Sequence, residues 1–200
     1  MIKIENLSYS YGENQVLKNI NLTVGDGEKI GIVGQSGSGK STLIKLISGL
    51  YKVQQGTIQV TGKTAVVMQS TNLFPLTIRE NITCGHSITN ETLEQAVKIA
   101  QLEEWISTLP ERLDTFVGVR GGNVSGGQAQ RISIARAIAV DAPILILDEA
   151  TSALDEKTSA DLIFAMSKWW KNKTVISIAH RKEALEFCQK IYRLEDGVLC

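Results

Sequence analysis

Gly34, Gln35, Ser36, Gly37, Ser38, Gly39, Lys40, Ser41 and Thr42 carry the most explicit chemistry in the chain. Their pattern fits G-x-x-x-x-G-K-[ST], a loop suited to a polyphosphate. Such a loop needs many backbone N–H groups converging on one anion, and side chains at Gly34, Gly37 and Gly39 would obstruct that approach. Lys40 adds a point charge near the β- and γ-phosphates, and the Ser41 hydroxyl is a ligand for Mg²⁺. ATP or GTP is the expected ligand.

A second chemical pair, Asp148-Glu149, directly follows the apolar run Ile144-Leu145-Ile146-Leu147. Adjacent carboxylates at the mouth of a buried strand are costly unless a cation or hydrogen bonds offset them, and a phosphate loop implies Mg²⁺ nearby. Asp148 is expected to hold the metal, directly or through water, and Glu149 to polarise an attacking water. That favours hydrolysis over transfer, because a small-molecule kinase needs an acceptor pocket and has no need of a water-activating base here. No N-K-x-D guanine-reading element occurs, so ATP is preferred to GTP.

Other positions have two readings each. Ser125 and Gln128 in Val124-Ser125-Gly126-Gly127-Gln128 have the S-x-x-Q spacing of a capping box ahead of the apolar face Ile132, Ile134, Ala135, Ile138, Ala139. The stretch is either a helix cap alone or, because Gly126 and Gly127 leave the first-turn N–H groups bare, a second place for an anion. Tyr11 is either a half-exposed strand aromatic or a ring that stacks on adenine. Gln69, after Thr64-Met68, is an ordinary polar strand end or a ligand-facing residue. His180, after Thr174-Ile178, is a surface loop histidine or a partner for a γ-phosphate.

These residues need elements to position them. Ile30-Gly31-Ile32-Val33 reads as a buried strand before the phosphate loop and Leu43-Ile47 as a helix after it, closed by Gly49. Residues 1–24 alternate polar and apolar as an antiparallel pair turning near Tyr11-Asn14. Thr57-Val60 and Thr64-Met68 are short strands, and Ile144-Leu147 and Thr174-Ile178 buried ones. From Pro75 to about Ala139 the pattern is helical, with Thr89 or Asn90 capping a helix whose inner face is Leu93, Ala96, Val97 and Ala100. Ser152-Asp155 is a turn and cap for a helix over 156–168. The expected fold is α/β: a phosphate-loop NTPase core with a mostly parallel sheet, an antiparallel β subdomain and an inserted helical subdomain. Residues 1–200 form one domain, with 1–74 and 140–200 as the core and 75–139 as the insert.

Two hundred residues suffice for one domain with a substantial core. Lys+Arg and Asp+Glu both number 21, a balance that offers no footprint for wrapping nucleic acid. No stretch approaches the roughly 18–20 apolar residues of a membrane span, and the start lacks a basic region followed by an apolar one. A cytosolic chain that docks on something in the membrane is expected. Cys84, Cys188 and Cys200 lack metal-ligand spacing and are assigned no function.

Taken in chain order and over nearly the whole length, these motifs resemble the nucleotide-binding domain of ATP-binding-cassette (ABC) proteins. The discriminating element is VSGGQ, close to the family's LSGGQ, between the phosphate loop and an ILILDE strand. The resemblance implies that Tyr11 stacks on adenine, that Gln69 senses Mg²⁺ as a metal-side catalytic residue and contacts a membrane partner, and that Asp155 communicates between subunits. It makes His180 the switch histidine at the γ-phosphate and Glu149 the catalytic base. It also implies a head-to-tail dimer of two cassettes, in which Ser125, Gly126, Gly127 and Gln128 of one cover the ATP held by the Gly34–Thr42 loop of the other.

Phe74-Ile82 looks like the exporter stretch after the glutamine, and Val117-Gly122 is similar to the exporter segment before the signature. Two features depart from the pattern: Val119 stands where many exporters carry glutamate, and only Gly62-Lys63 separates two strands that usually have a longer insertion between them. The expectation is an ATP-hydrolysing subunit or domain of an exporter. It would lie on the cytoplasmic face of a membrane, paired with a second cassette and a transmembrane domain or subunit, with no nucleic-acid partner. The initial methionine tilts the reading towards a separate subunit. One alternative is a cytosolic ABC ATPase without transport, of the iron–sulfur assembly, repair or translation type; neither the long coiled coil of the repair relatives nor the duplicated cassette of the translation relatives is present. A regulatory module would carry a degenerate catalytic end, against which Glu149 and His180 stand.

Overall fold

The structure is a computed structural model and describes residues 1–179 and 184–200. Ile2, Ile4 and Leu7 are buried on one strand and Leu17, Ile20, Leu22 and Val24 on the next, so the alternation becomes an antiparallel pair. β1 (Ile2–Tyr11) and β2 (Asn14–Val24) pair from Ile2 opposite Val24 to Tyr11 opposite Asn14. Register shifts between Ile4 and Ser10, with Asn6 at φ 50°, re-aim the end of β1. β4 (Gln55–Val60) lines the other edge of β1, giving the order β2-β1-β4.

The fully apolar runs make a second sheet of six strands, in the order β5-β6-β7-β3-β8-β9. These are β3 (Lys29–Val33), β5 (Thr64–Val67), β6 (Ile144–Asp148), β7 (Thr174–Ile178), β8 (Lys190–Glu195) and β9 (Val198–Leu199). β6, β7, β3 and β8 are parallel neighbours, and β9 runs antiparallel to β8. Every residue of β6 and β7 is buried, which explains their lack of alternation. α1 (Lys40–Ile47) follows β3 and lies against β4 and β6, burying Leu43, Ile44, Leu46 and Ile47. β4 and β5, although only three residues apart, belong to different sheets.

Two compact units emerge. One comprises Met1–Val66, Pro143–Glu149 and Lys171–Cys200; the other comprises Val67–Ala142 and Ala150–Trp170. The second unit holds α2 (Ile78–Thr83), α3 (Asn90–Ile99), α4 (Glu103–Thr108), α5 (Gly126–Val140) and α6 (Glu156–Trp169). Thr77 and Glu80 form a capping box on α2, and Thr89 caps α3. α5 packs on α2 and α3, and α3 on α6. The predicted inner face of α3 is buried, as is Trp170. The α/β architecture agrees with the sequence expectation. Among the described residues no helix is long and apolar enough to cross a membrane.

Candidate nucleotide site

β3 ends at Val33 and α1 begins at Lys40, so the phosphate loop bridges the end of a central strand and a helix N-terminus. Gly34 is required by close approach: a Cβ there would stand 2.3 Å from the Leu194 carbonyl oxygen of β8. Buried Lys40 turns back into the loop, its Nζ donating to the carbonyls of Gly34 at 2.7 Å and Gln35 at 2.8 Å. No side chain caps α1, whose N-cap Gly39 is left-handed. Ser38 Oγ is buried and unpartnered. An ammonium, an uncapped helix start and an orphaned hydroxyl within one loop suit an anion rich in oxygen acceptors. A cleft of about 740 Å³ runs beside the loop, lined among others by Gln15, Val16, Gln35, Ser36, Asp196 and Gly197.

Asp148 ends β6 within the same unit, and Ser41 and Lys40 bear on it. Burial pushes its carboxyl above the ordinary carboxylate range, and the Glu149 charge adds to this. The hydrogen bond from the Ser41 hydroxyl and the charges of Lys40 and Lys45 act in the opposite sense. A buried carboxylate beside a hydroxyl is a hard-oxygen donor set that fits Mg²⁺, a cation that takes few protein ligands and shares the rest with phosphates and water. The described residues hold no cluster of three or more His, Cys, Asp or Glu suited to a metal. Glu149 follows at φ 49°, a left-handed conformation uncommon for a non-glycine residue, with its N–H bonded to the Ile178 carbonyl at 2.9 Å.

Tyr11, at the end of β1, is 46% exposed, and its hydroxyl lies 3.3 Å from Thr42 Oγ1 on α1. The bulged strand thus brings the aromatic residue to the loop that sequence spacing alone left ambiguous. Tyr9 and Tyr51 complete a three-ring cluster with Tyr11.

In the other unit Ser125 and Gln128 form the expected capping box: Ser125 Oγ accepts from Gln128 N at 3.2 Å and Gln128 Oε1 from Ser125 N at 2.8 Å. Ser125 and Gly126 are exposed. Gly127 has a packing reason as well, since a Cβ would come within 3.0 Å of Leu154 Cδ2. Asp155 caps α6, accepting from Thr158 N at 3.0 Å and Thr158 Oγ1 at 2.7 Å. Gln69 is exposed just after β5. His180 lies outside the described residues.

Sequence spacing missed three residues. Gln130, fully buried, accepts from Ala153 N at 2.9 Å and faces Ser152 Oγ at 3.4 Å, tying α5 to the turn before α6. Asn81, also fully buried, accepts from Phe74 N at 2.9 Å and donates to the carbonyls of Phe74 and Thr77, pinning the segment before α2. Neither gave a signal in the sequence, since both stand among other polar residues, Asn81 beside Glu80 and Gln130 beside Arg131. Tyr51, beyond the end of α1, gave no signal.

Residues 17–152 match the family model described as ABC transporter. The chain is 42% identical over 210 residues to an ATP-dependent lipid A-core flippase of Desulfotalea psychrophila, covering 98% of this chain and 37% of that protein. It is 40% identical over 212 residues to a putative multidrug export ATP-binding/permease protein of Staphylococcus aureus, covering 98% of this chain and 37% of the relative. The chain thus spans little more than a third of the length of the curated relatives it matches. A solved bacterial Atm1-family ABC exporter with ATP bound matches the whole chain and 38% of its own, with a TM-score of 0.94 and 34% identity. With the phosphate loop, the carboxylate pair and the capped VSGGQ helix all in place, the chain belongs to the ABC transporter family, as an ATPase domain of it.

Proposed function

We propose that this chain is the ATP-driven engine of an exporter, working on the cytoplasmic face of a membrane as one of two paired cassettes. The observation that supports it best is the convergence of Lys40, Ser41 and Asp148 at the end of β6, with Glu149 next in the chain. Lys40 and the loop N–H groups bind the phosphates, and Tyr11 stacks on the base. Ser41, Asp148 and Gln69 would hold Mg²⁺, which when bound draws charge from the β- and γ-phosphates. Glu149 orients a water and takes its proton as the water attacks the γ-phosphorus; the bond from that phosphorus to the β,γ-bridging oxygen breaks, ADP leaves, and His180 steadies the γ-phosphoryl oxygens.

Ser125, Gly126, Gly127 and Gln128 complete the site of the opposite cassette. The cap occupies the Gln128 N–H, so the Gly126 and Gly127 N–H groups are the ones offered to the partner's γ-phosphate. Asp155, the cap of α6, carries the state of one site to the other. Binding closes the pair, and hydrolysis reopens it and resets a transmembrane partner. Phe74, Leu76, Phe116 and Val119 are large apolar side chains exposed in the helical unit, Val119 by 75%, and support contact with that partner. The exporter relatives favour this over a cytosolic ATPase without transport.

The test is a Glu149→Gln variant measured by light scattering with ATP. It is expected to retain ATP and shift from monomer to dimer. A variant that binds ATP yet stays monomeric, alone and with a candidate partner cassette, would contradict the paired site.

A further inference from the structure

The three tyrosines of the first unit form one assembly. The rings of Tyr9 and Tyr51 are nearly parallel, 11° apart with centroids at 5.7 Å. Tyr11 stands almost perpendicular to both, at 81° and 5.2 Å from Tyr9 and at 82° and 6.1 Å from Tyr51. These edge-to-face geometries are favourable for aromatic quadrupoles and fix the orientation of the third ring relative to the other two. Tyr51 is itself anchored. Its N–H donates to the Lys45 carbonyl at 2.9 Å, the Lys45 ammonium lies 3.5 Å from its hydroxyl, and the same ammonium sits 5.2 Å from its ring centre. Lys45 is in the last turn of α1, the helix whose first turn closes the phosphate loop.

A ring at the exposed end of a strand, beside a glycine turn, would otherwise sample several rotamers, and ordering it on binding would cost affinity. We propose that Tyr51 is a positioning residue for base recognition: anchored to α1 through Lys45, its ring holds Tyr11 in a fixed orientation, so that the two ends of the nucleotide are read by elements tied to one helix. The inference rests on the reading that Tyr11 stacks on the base. Tyr51 itself touches no nucleotide in this proposal, and it predicts a defect confined to the base end.

The experiment compares wild type, Tyr51→Ala, Tyr51→Phe and Tyr11→Ala for the KM and kcat of ATP hydrolysis, and for competition by tripolyphosphate, which has phosphates and no base. Tyr51→Ala is expected to raise the KM for ATP about three- to tenfold with kcat little changed. Tripolyphosphate affinity should stay at the wild-type value, and Tyr51→Phe, which keeps the ring contacts, should restore the KM. An unchanged KM in Tyr51→Ala alongside a raised one in Tyr11→Ala overturns the inference and leaves the stacking reading intact. An unchanged affinity in Tyr11→Ala removes both. Loss of tripolyphosphate affinity in step with ATP, or a Tyr51→Phe variant no better than Tyr51→Ala, also overturns it, since either points to a role other than ring packing.

Discussion

At the scale of single residues, the phosphate loop was legible because its chemistry restricts residue type at each position. Gly34 tolerates no Cβ against Leu194, and Lys40 must lie within the loop it serves. Lys40→Ala should weaken ATP binding by roughly ten- to a hundredfold, the worth of charge-assisted hydrogen bonds, in a calorimetric titration. Undiminished affinity would remove the loop from the site. Tyr11 was not legible from spacing, because its place beside Thr42 depends on register shifts in β1 that no periodicity encodes. Tyr51 was still less so, since its contacts arise where a loop after α1 meets a strand from the start of the chain.

At the scale of elements, buried strands declared themselves through uninterrupted apolar runs, and three helix starts through their caps: Thr89, Ser125 and Asp155 all cap the helices they precede, whereas the Thr77 cap of α2 emerged only in the structure. What sequence did not reveal is how irregular segments are held. Asn81 does this for residues 74–77 by bonding both backbone groups of Phe74, while Arg136 from α5 donates to the Asn81 carbonyl at 2.8 Å. A lone asparagine in a short helix gives no hint of partners seven and fifty-five positions away. Asn81→Ala should leave the Phe74 N–H unsatisfied, its carbonyl keeping only the Leu76 N–H at 2.7 Å, and cost about 2 kcal/mol in denaturant unfolding. A change within a few tenths would show that the segment is held by other contacts.

At the scale of the whole molecule, strand order was the least legible feature. β4 and β5 follow one another yet join different sheets, and β3 lies between β7 and β8, which come more than 130 positions later. One contact that closes this long-range arrangement is electrostatic. Glu28 in the turn before β3 pairs with Lys190 at the start of β8 at 2.7 Å and accepts from Gly25 N–H at 2.8 Å, and the two interactions hold its carboxyl below the ordinary carboxylate range. Because the folded value is depressed, this stabilisation is present above the unfolded value and lost as pH falls through the folded one. Glu28→Gln should therefore lower Tm by about 1–3 °C near pH 7, with the deficit closing as pH falls below the ordinary carboxylate range. A deficit independent of pH would mean that the charge is not what matters.

As proposed, Glu149 drives hydrolysis at a site whose phosphates are held by the Gly34–Thr42 loop. This role is tested most directly by phosphate release from Mg·ATP at high protein concentration, comparing wild type with Glu149→Gln. Steady turnover is expected in the wild type and a fall of about 10²- to 10⁴-fold in the variant, with ATP binding retained. Equal rates in the two proteins, or no phosphate release by the wild type, would contradict it.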